Sequence, residues 1–316
     1  MKIVFLDAAT VDYGDLDLSE IARLGELQTF DITPAKEAAG RIGDADVVIT
    51  NKVVCDKNVL AQCPGLKCIA VAATGVNNID LEEAKKQGIA VTNVPGYSTT
   101  SVAQHTMCTM LALAGHLVEY NRAAHDGTWS SSPVFTMGSW PTFDLKDKVL
   151  GIMGYGDIGK EVGRLAAAFG MNVVALRREG VQYEGDMERY DLYRLAEISD
   201  FVSIHMPLTE HSRHLVDMEF LRRMKPSAYL INMARGPVID PAALADALNK
   251  KLIAGAALDV MEKEPPDKDD PLLKAPGCII TPHIAWASIE SRKRLVHEMA
   301  ENIAAFSRGE KRNRVV

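Results

Sequence analysis

Gly154-Tyr155-Gly156-Asp157-Ile158-Gly159 stands between a short apolar run, 149–153, and a helical pattern, 158–169. Few sequence features restrict a fold more. A G-x-G-x-x-G that leaves a strand and opens a helix is the first turn of a unit built to receive a dinucleotide. The first glycine permits the tight turn, the second lets a pyrophosphate approach the backbone, and the third lets helix and strand pack closely. Free N–H groups at the positive end of the helix then meet the phosphates. The chain carries no G-x-x-x-x-G-K-[ST], which disfavours a P-loop.

The same alternation runs through the rest of the chain. Apolar runs rich in β-branched residues occupy 2–6, 47–50, 68–72, 89–92, 149–153, 173–176, 201–205, 229–232, 254–259 and 278–281, mostly with helical patterns between them. Each is apolar on both faces, as parallel strands covered by helices are. This predicts an α/β protein, doubly wound. Ten strands are many for one open sheet, so two sheets are expected. A length of 316 residues agrees, at roughly 100–200 residues per domain. Segment 121–148 has no sustained period and holds Gly127, Pro133, Gly138 and Pro141, so it reads as a long ordered loop. Before it, 101–120 reads as one helix, apolar on nearly every face and therefore buried between domains or in a dimer. The short basic tail, 309–316, reads as a solvated end.

Charge and cysteine content exclude several classes. Lys+Arg 35 against Asp+Glu 42 gives −7, which offers nothing to a nucleic acid or an anionic membrane. No run of about 18 uncharged apolar residues could span a bilayer. The N-terminus reaches Asp7 without the apolar region of a signal peptide. Five scattered cysteines with no zinc-ribbon spacing read as reduced thiols in a cytoplasmic protein without a metal site.

The second strand of the dinucleotide unit should end in the residue that meets the adenosine ribose, about 20 positions past the glycines. It ends in Arg177-Arg178, with Glu179 only afterwards; Arg177 is 18 residues beyond Gly159 (177 − 159). An acidic residue there would bind a 2′-hydroxyl, whereas a guanidinium forks onto a 2′-phosphate. The pattern favours NADP over NAD. The alternative is that both arginines are solvated and NAD binds without the acidic contact.

Three later segments put charge at the C-terminal ends of strands, where open α/β sheets bind ligands. Asn232-Met233-Ala234-Arg235-Gly236 presents an arginine, Asp259 to Glu264-Pro265 presents carboxylates, and Thr281-Pro282-His283 presents a histidine. The set suits hydride transfer to a 2-oxo acid. Arg235 can hold a carboxylate and polarise a carbonyl. His283 can give the alkoxide its proton, or take it back in reverse. A carboxylate on the other ring nitrogen would fix the tautomer. Pattern alone leaves Asp259, Glu262 and Glu264 open for that part. His105 reads as a core or interface histidine without a visible partner, and His205 as structural. Trp129, Trp140 and Trp286 are candidates to close a pocket against water.

These motifs carry a resemblance. The glycine fingerprint with Phe169-Gly170, Asn232 to Gly236, Leu258-Asp259-Val260 through Glu264-Pro265, and Thr281-Pro282-His283, in this order, resemble the D-isomer-specific 2-hydroxyacid dehydrogenases over essentially the whole chain. Ala72 to Asp80, Ser101 to Thr106 and His283 to Ser288 are most similar to the glycerate dehydrogenase (hydroxypyruvate reductase) branch. The resemblance implies two Rossmann-like domains, one flavodoxin-like and one NAD(P)-binding, with a cleft between them. It implies a discontinuous substrate domain, 1–98 and 287–316, and a cofactor domain, 99–286, that carries the dimerisation helix. It chooses Glu264 as the partner of His283. It gives the substrate carboxylate to Thr74 and Gly75 together with Arg235. It gives the cofactor Thr106, Gly154, Gly156, Asp157, Ile158, Gly159, Met206, Pro207, Met233, Asp259, His283 and Ala285; Arg177, which position sets at the ribose with Arg178, departs from the Asp that most NAD-preferring members carry there. It implies NAD or NADP as cofactor, a small 2-oxo acid as substrate and a homodimer. Within the class, D-lactate oxidation and formate oxidation are rivals. Outside it, so is a dinucleotide-sensing corepressor that has no turnover.

Overall fold

The structure, a computed structural model, describes residues 1–316 except Glu179, Tyr183, Glu184 and Asp186. The reading of Glu179 therefore lies outside the described residues. The chain divides into two compact units, Met1–Ser98 with Trp286–Val316, and Thr99–Ala285.

The first unit runs β1 (Lys2–Phe5), α1 (Ser19–Ala22), β2 (Glu26–Thr29), α2 (Ala38–Ile42), β3 (Val47–Thr50), α3 (Lys57–Ala61), β4 (Cys68–Val71), α4 (Leu81–Lys86) and β5 (Ala90–Thr92). Its sheet has the order β2-β1-β3-β4-β5, and every pairing is parallel. Strand alternation sorts the apolar residues into two layers. Ile3, Phe5, Val47, Ile49, Cys68 and Ala70 pack with Leu295, Met299 and Ile303 of the C-terminal helix, Ile289–Ser307. Val4, Val48, Ile69 and Val71 pack on the other side with Ile42, Leu60 and Ala84. Asp56 and Asp80 cap α3 and α4, each accepting a helix N–H.

The order of this sheet reverses at β1 and β3, the place where such sheets hold a ligand. Here a side chain of the protein takes the donors. The buried Asp7 carboxylate accepts the successive N–H groups of Asn51, Lys52 and Val53, at 2.6–3.2 Å. Burial pushes the Asp7 carboxyl above the usual carboxylate range, and the three N–H groups oppose that rise.

The second unit runs α5 (Thr99–Ala114), α6 (Leu117–His125), β6 (Val149–Met153), α7 (Asp157–Ala168), β7 (Asn172–Leu176), β8 (Arg189–Tyr190), α8 (Leu192–Ile198), β9 (Phe201–Ile204), α9 (Met218–Arg223), β10 (Tyr229–Asn232), α10 (Pro241–Asn249), β11 (Gly255–Leu258) and β12 (Cys278–Ile280). Its parallel sheet has the order β12-β11-β10-β9-β6-β7-β8 and turns at β6 and β9. Two parallel sheets are what the alternating pattern led us to expect. No helix among the described residues is long and apolar enough to cross a membrane.

Four readings need correction. β2 and β8 were not expected: β2 is a largely exposed edge strand of sequence ELQT, and β8 has two residues, so neither carries a buried apolar signature. The helix expected over 101–120 is two helices, broken at Gly115-His116, where His116 is left-handed at φ 47°. The loop is correspondingly shorter, because α6 continues to His125. The tail is not a solvated end. Val315 donates to Val91 O, Val91 to Val316 O and Asn93 to Asn313 O, so the tail covers the open edge of β5.

Candidate active site

The glycine loop stands where the second sheet reverses. Gly154 has φ +101°, and a Cβ there would lie 2.6 Å from Met206 N and 2.7 Å from His205 C. A Cβ on Gly159 would lie 2.2 Å from Gly154 O. The loop is thus pressed between the exit of β9 and the start of α7, which only glycine allows. Over Gly156 a Cβ would meet nothing within 4 Å. Gly156 is also the N-cap of α7 and offers no side chain to the helix donors. Open space above bare N–H groups at a helix start suits a pyrophosphate, so these residues fit the dinucleotide the motif implies. Asp157 is exposed and Ile158 half-buried at the same turn.

Strand register places the ribose candidate. Ile152 pairs with Ala175, so Arg177, two residues on, is level with Gly154. Arg177 and Arg178 are both exposed. The Arg177 N–H donates to Tyr190 O and its Nη2 to Arg189 O at 3.0 Å, which anchors the guanidinium beside β8.

His205 closes the far side of the glycine loop. Its Nε2 lies 2.8 Å from Ser203 Oγ, and its Nδ1 is buried without a partner among the described residues. Burial pushes this histidine from 6.5 down to about 3, so it is neutral. The unfolded chain takes this proton near pH 6.5, and the folded chain only near 3. Stability from this group is complete above pH 6.5 and is lost as pH falls through that window. We expect the melting temperature of the parent to fall more steeply from pH 6.5 to 4 than that of His205→Asn. Equal slopes would contradict a buried neutral ring.

The strand ends beyond β10, β11 and β12 lie side by side, because Asn232 pairs with Leu258 and Leu258 with Ile280. Each carries one candidate. Asn232, fully buried, shapes the first turn: its Oδ1 accepts Ala234 N–H at 3.0 Å and its Nδ2 donates to Arg235 O at 2.9 Å. The half-buried Arg235 donates through Nη1 to Ala234 O at 2.7 Å. A Cβ on the next residue, Gly236, would lie 2.0 Å from both C and O of Met261. The Arg235 turn is therefore seated directly on the backbone that leads to Glu264.

Glu264 is tied into that loop, accepting Met261 N–H through Oε1 at 2.9 Å. Its Oε2 lies 2.7 Å from His283 Nδ1. The other two carboxylates face elsewhere. Glu262 Oε1 meets His214 Nε2 at 3.2 Å and Arg213 at 3.6 Å. Asp259 has a nearly buried carboxylate that accepts Thr281 Oγ1 at 2.5 Å, Ile284 N–H at 2.9 Å and Ala285 N–H at 2.8 Å. Its backbone oxygen accepts His283 N–H at 2.9 Å. One aspartate so receives three successive N–H groups and holds His283 at φ 54°, a left-handed conformation. His105, which looked partnerless in sequence, lies 3.0 Å from Thr281 Oγ1.

Several candidates turn inward. Thr106 is fully buried with its hydroxyl donating to Val102 O, and Met233, Asp259 and Ala285 are buried too. These four expose little surface, whereas Gly156, Asp157, Arg177 and Pro207 are exposed and Met206 half-buried. In the first unit, Thr74 Oγ1 donates to Val94 O and Asn93 Nδ2 to Thr74 O, so the loop with Gly75 is pinned to the exit of β5. Trp286 belongs to that unit and packs edge-on against Tyr97. Trp140 packs edge-on against Tyr120. Asn232 and Thr281, given no role of their own in the sequence reading, hydrogen-bond within the turns that carry Arg235 and His283. The signal for Asn232 was a polar residue ending a buried strand; Thr281 had none.

Residues 107–285 match the model of the D-isomer specific 2-hydroxyacid dehydrogenase, NAD binding domain. A hydroxypyruvate reductase of Blautia hydrogenotrophica is 40% identical over 314 residues, covering 98% of both chains. The chain belongs to the D-isomer-specific 2-hydroxyacid dehydrogenase family. A glycerate dehydrogenase of Methylorubrum extorquens is 37% identical over 315 residues, covering 99% of this chain and 98% of its own. Among solved structures, the TT0316 protein of Thermus thermophilus superposes over 100% of both chains with a TM-score of 0.91 and 33% identity. A nicotinamide dinucleotide is accordingly the cofactor of this D-2-hydroxyacid dehydrogenase.

Proposed function

We propose that this dehydrogenase is a cytoplasmic enzyme that reduces hydroxypyruvate, and glyoxylate with it, to the D-2-hydroxy acid, D-glycerate in the first case. The bond between His283 Nδ1 and Glu264 Oε2 carries the reading. With Nδ1–H given to the carboxylate, Nε2 is the nitrogen left to exchange a proton with substrate. The nicotinamide supplies the hydride when bound. His283 protonates the oxygen of the reduced carbonyl, and Glu264 stabilises the imidazolium before that transfer. Arg235 draws the carboxylate and carbonyl of the substrate into one orientation through its fork of donors. Thr74 and Gly75 take the remaining carboxylate oxygen.

We assign NADP as the preferred cofactor from Arg177, which is level with the glycine loop and exposed. We also propose a homodimer formed through α5, α6 and the loop after them, where Leu111, Leu117, Trp129, Val134 and Phe135 expose apolar side chains.

One parallel assay tests the reading. Hydroxypyruvate, glyoxylate, pyruvate and phosphohydroxypyruvate are offered with NADPH and with NADH. Fastest turnover of hydroxypyruvate with NADPH is expected. No turnover of any 2-oxo acid would favour the dinucleotide-sensing reading, and preference for pyruvate would favour a D-lactate dehydrogenase. In Arg177→Asp the NADPH preference should shift toward NADH by at least about tenfold, the loss of one charge-assisted phosphate contact. An unchanged ratio would remove Arg177 from the ribose.

A further inference from the structure

His105 has no part in the proposed reaction, yet its hydrogen bonds connect it to the turn that carries His283. Thr281 has one hydroxyl proton, and at 2.5 Å from Asp259 Oδ1 that proton goes to the carboxylate. The Thr281 oxygen is then an acceptor, and the ring nitrogen 3.0 Å away, His105 Nε2, must carry the proton it receives. The same Nε2 is 3.8 Å from Asp259 Oδ1. The chain runs in one direction: His105 donates to Thr281, Thr281 to Asp259, and Asp259 receives the N–H groups of Ile284 and Ala285, with its own carbonyl on His283 N–H. His105 comes from the middle of α5, 176 positions from Thr281. A carboxylate this buried is costly unless its orientation and donors are fixed.

We propose that His105 is a positioning residue for His283: through the Thr281 hydroxyl it locks the Asp259 carboxylate that sets the backbone of 283–285. Without the His105 bond the Thr281 hydroxyl rotates more freely, Asp259 loses its fixed third donor, and the left-handed turn at His283 loosens. The imidazole then spends less time aimed at substrate, and turnover falls while cofactor binding at the glycine loop is untouched. This inference rests on His283 as the proton donor, but its structural half does not depend on turnover.

The test is a double-mutant cycle with Thr281→Val and His105→Leu. Each alone should lower kcat for hydroxypyruvate about tenfold, with the Kd for NADPH unchanged. Together they should cost no more than Thr281→Val alone, because His105 acts only through Thr281. Thr281→Ser and His105→Gln, whose amide N–H can donate from a similar reach, should restore kcat. His105→Asn, whose shorter amide does not reach, replaces the leucine variant should that one not fold. Amide hydrogen exchange at Ile284 and Ala285 is read in parallel and should quicken about tenfold in both disruptive variants. Additive losses in kcat, parent-level kcat in Thr281→Val, or unchanged exchange would overturn the proposal. If the parent itself reduces no 2-oxo acid, the functional reading fails, and the exchange data alone decide whether the relay exists.

Discussion

His283→Ala should lower kcat by about 10²–10⁴ while NADPH affinity stays at the parent value, the pattern expected when a general acid is removed. The distinction lies in where the histidine stands. It follows β12, while the N–H groups proposed to seat the pyrophosphate are at the start of α7, so deletion of the ring should remove the proton and leave that seat intact. Steady-state rates and a fluorescence titration with NADPH check both halves. Turnover at the parent rate would show that another group delivers the proton. Loss of NADPH affinity would show that the ring serves the cofactor instead.

Gly236→Ala is expected to cost at least about 3 kcal/mol of stability, beyond most overpacking changes, because the added carbon has no room. It would stand 2.0 Å from two backbone atoms of Met261 and 2.5 Å from Glu262 N. A flexible side chain could yield at such a distance; backbone in a packed loop cannot. Relief requires the Arg235 turn and the Glu264 loop to part, so activity should fall with stability. Chemical denaturation gives the first quantity and kcat/KM the second. A variant as stable and active as the parent would mean that the two turns are not seated as described.

A buried aspartate fixes one strand exit in each unit. In the first unit the Asp7 carboxylate receives the N–H groups of Asn51, Lys52 and Val53; in the second the Asp259 carboxylate receives those of Ile284 and Ala285 with the Thr281 hydroxyl, and its backbone oxygen receives that of His283. In each case a buried aspartate beyond an interior strand fixes the backbone leaving the neighbouring one. Three donors offset the burial of the charge and leave each turn one geometry.

Much of this was legible in sequence, for a physical reason. Strands covered on both faces must be apolar throughout, so β1, β3, β4 and the central strands of the second sheet stand out as β-branched runs. Edge strands carry no such demand, and β2 and β8 were invisible. The glycine fingerprint was legible because close approach to backbone admits one residue type. The placement of Arg235 and His283 at strand exits was legible because parallel strands deliver their exits to one end of a sheet. The partner of His283 was not, since Asp259, Glu262 and Glu264 share one loop and only folding sends Glu262 to His214 and Asp259 to Thr281. His105 was unreadable because its partner lies 176 positions away. Sequence could not say which candidates turn inward either: Thr106 and Ala285 are buried.

The proposed reaction requires Arg235 and His283 to act on the same carbonyl. A crystal structure of the enzyme with oxidised cofactor and oxamate, an unreactive mimic of a 2-oxo acid, tests it most directly. His283 Nε2 and a guanidinium nitrogen of Arg235 should each lie about 3 Å from the carbonyl oxygen of the mimic, hydrogen-bond distance. Oxamate bound with either side chain turned away from it would contradict the account.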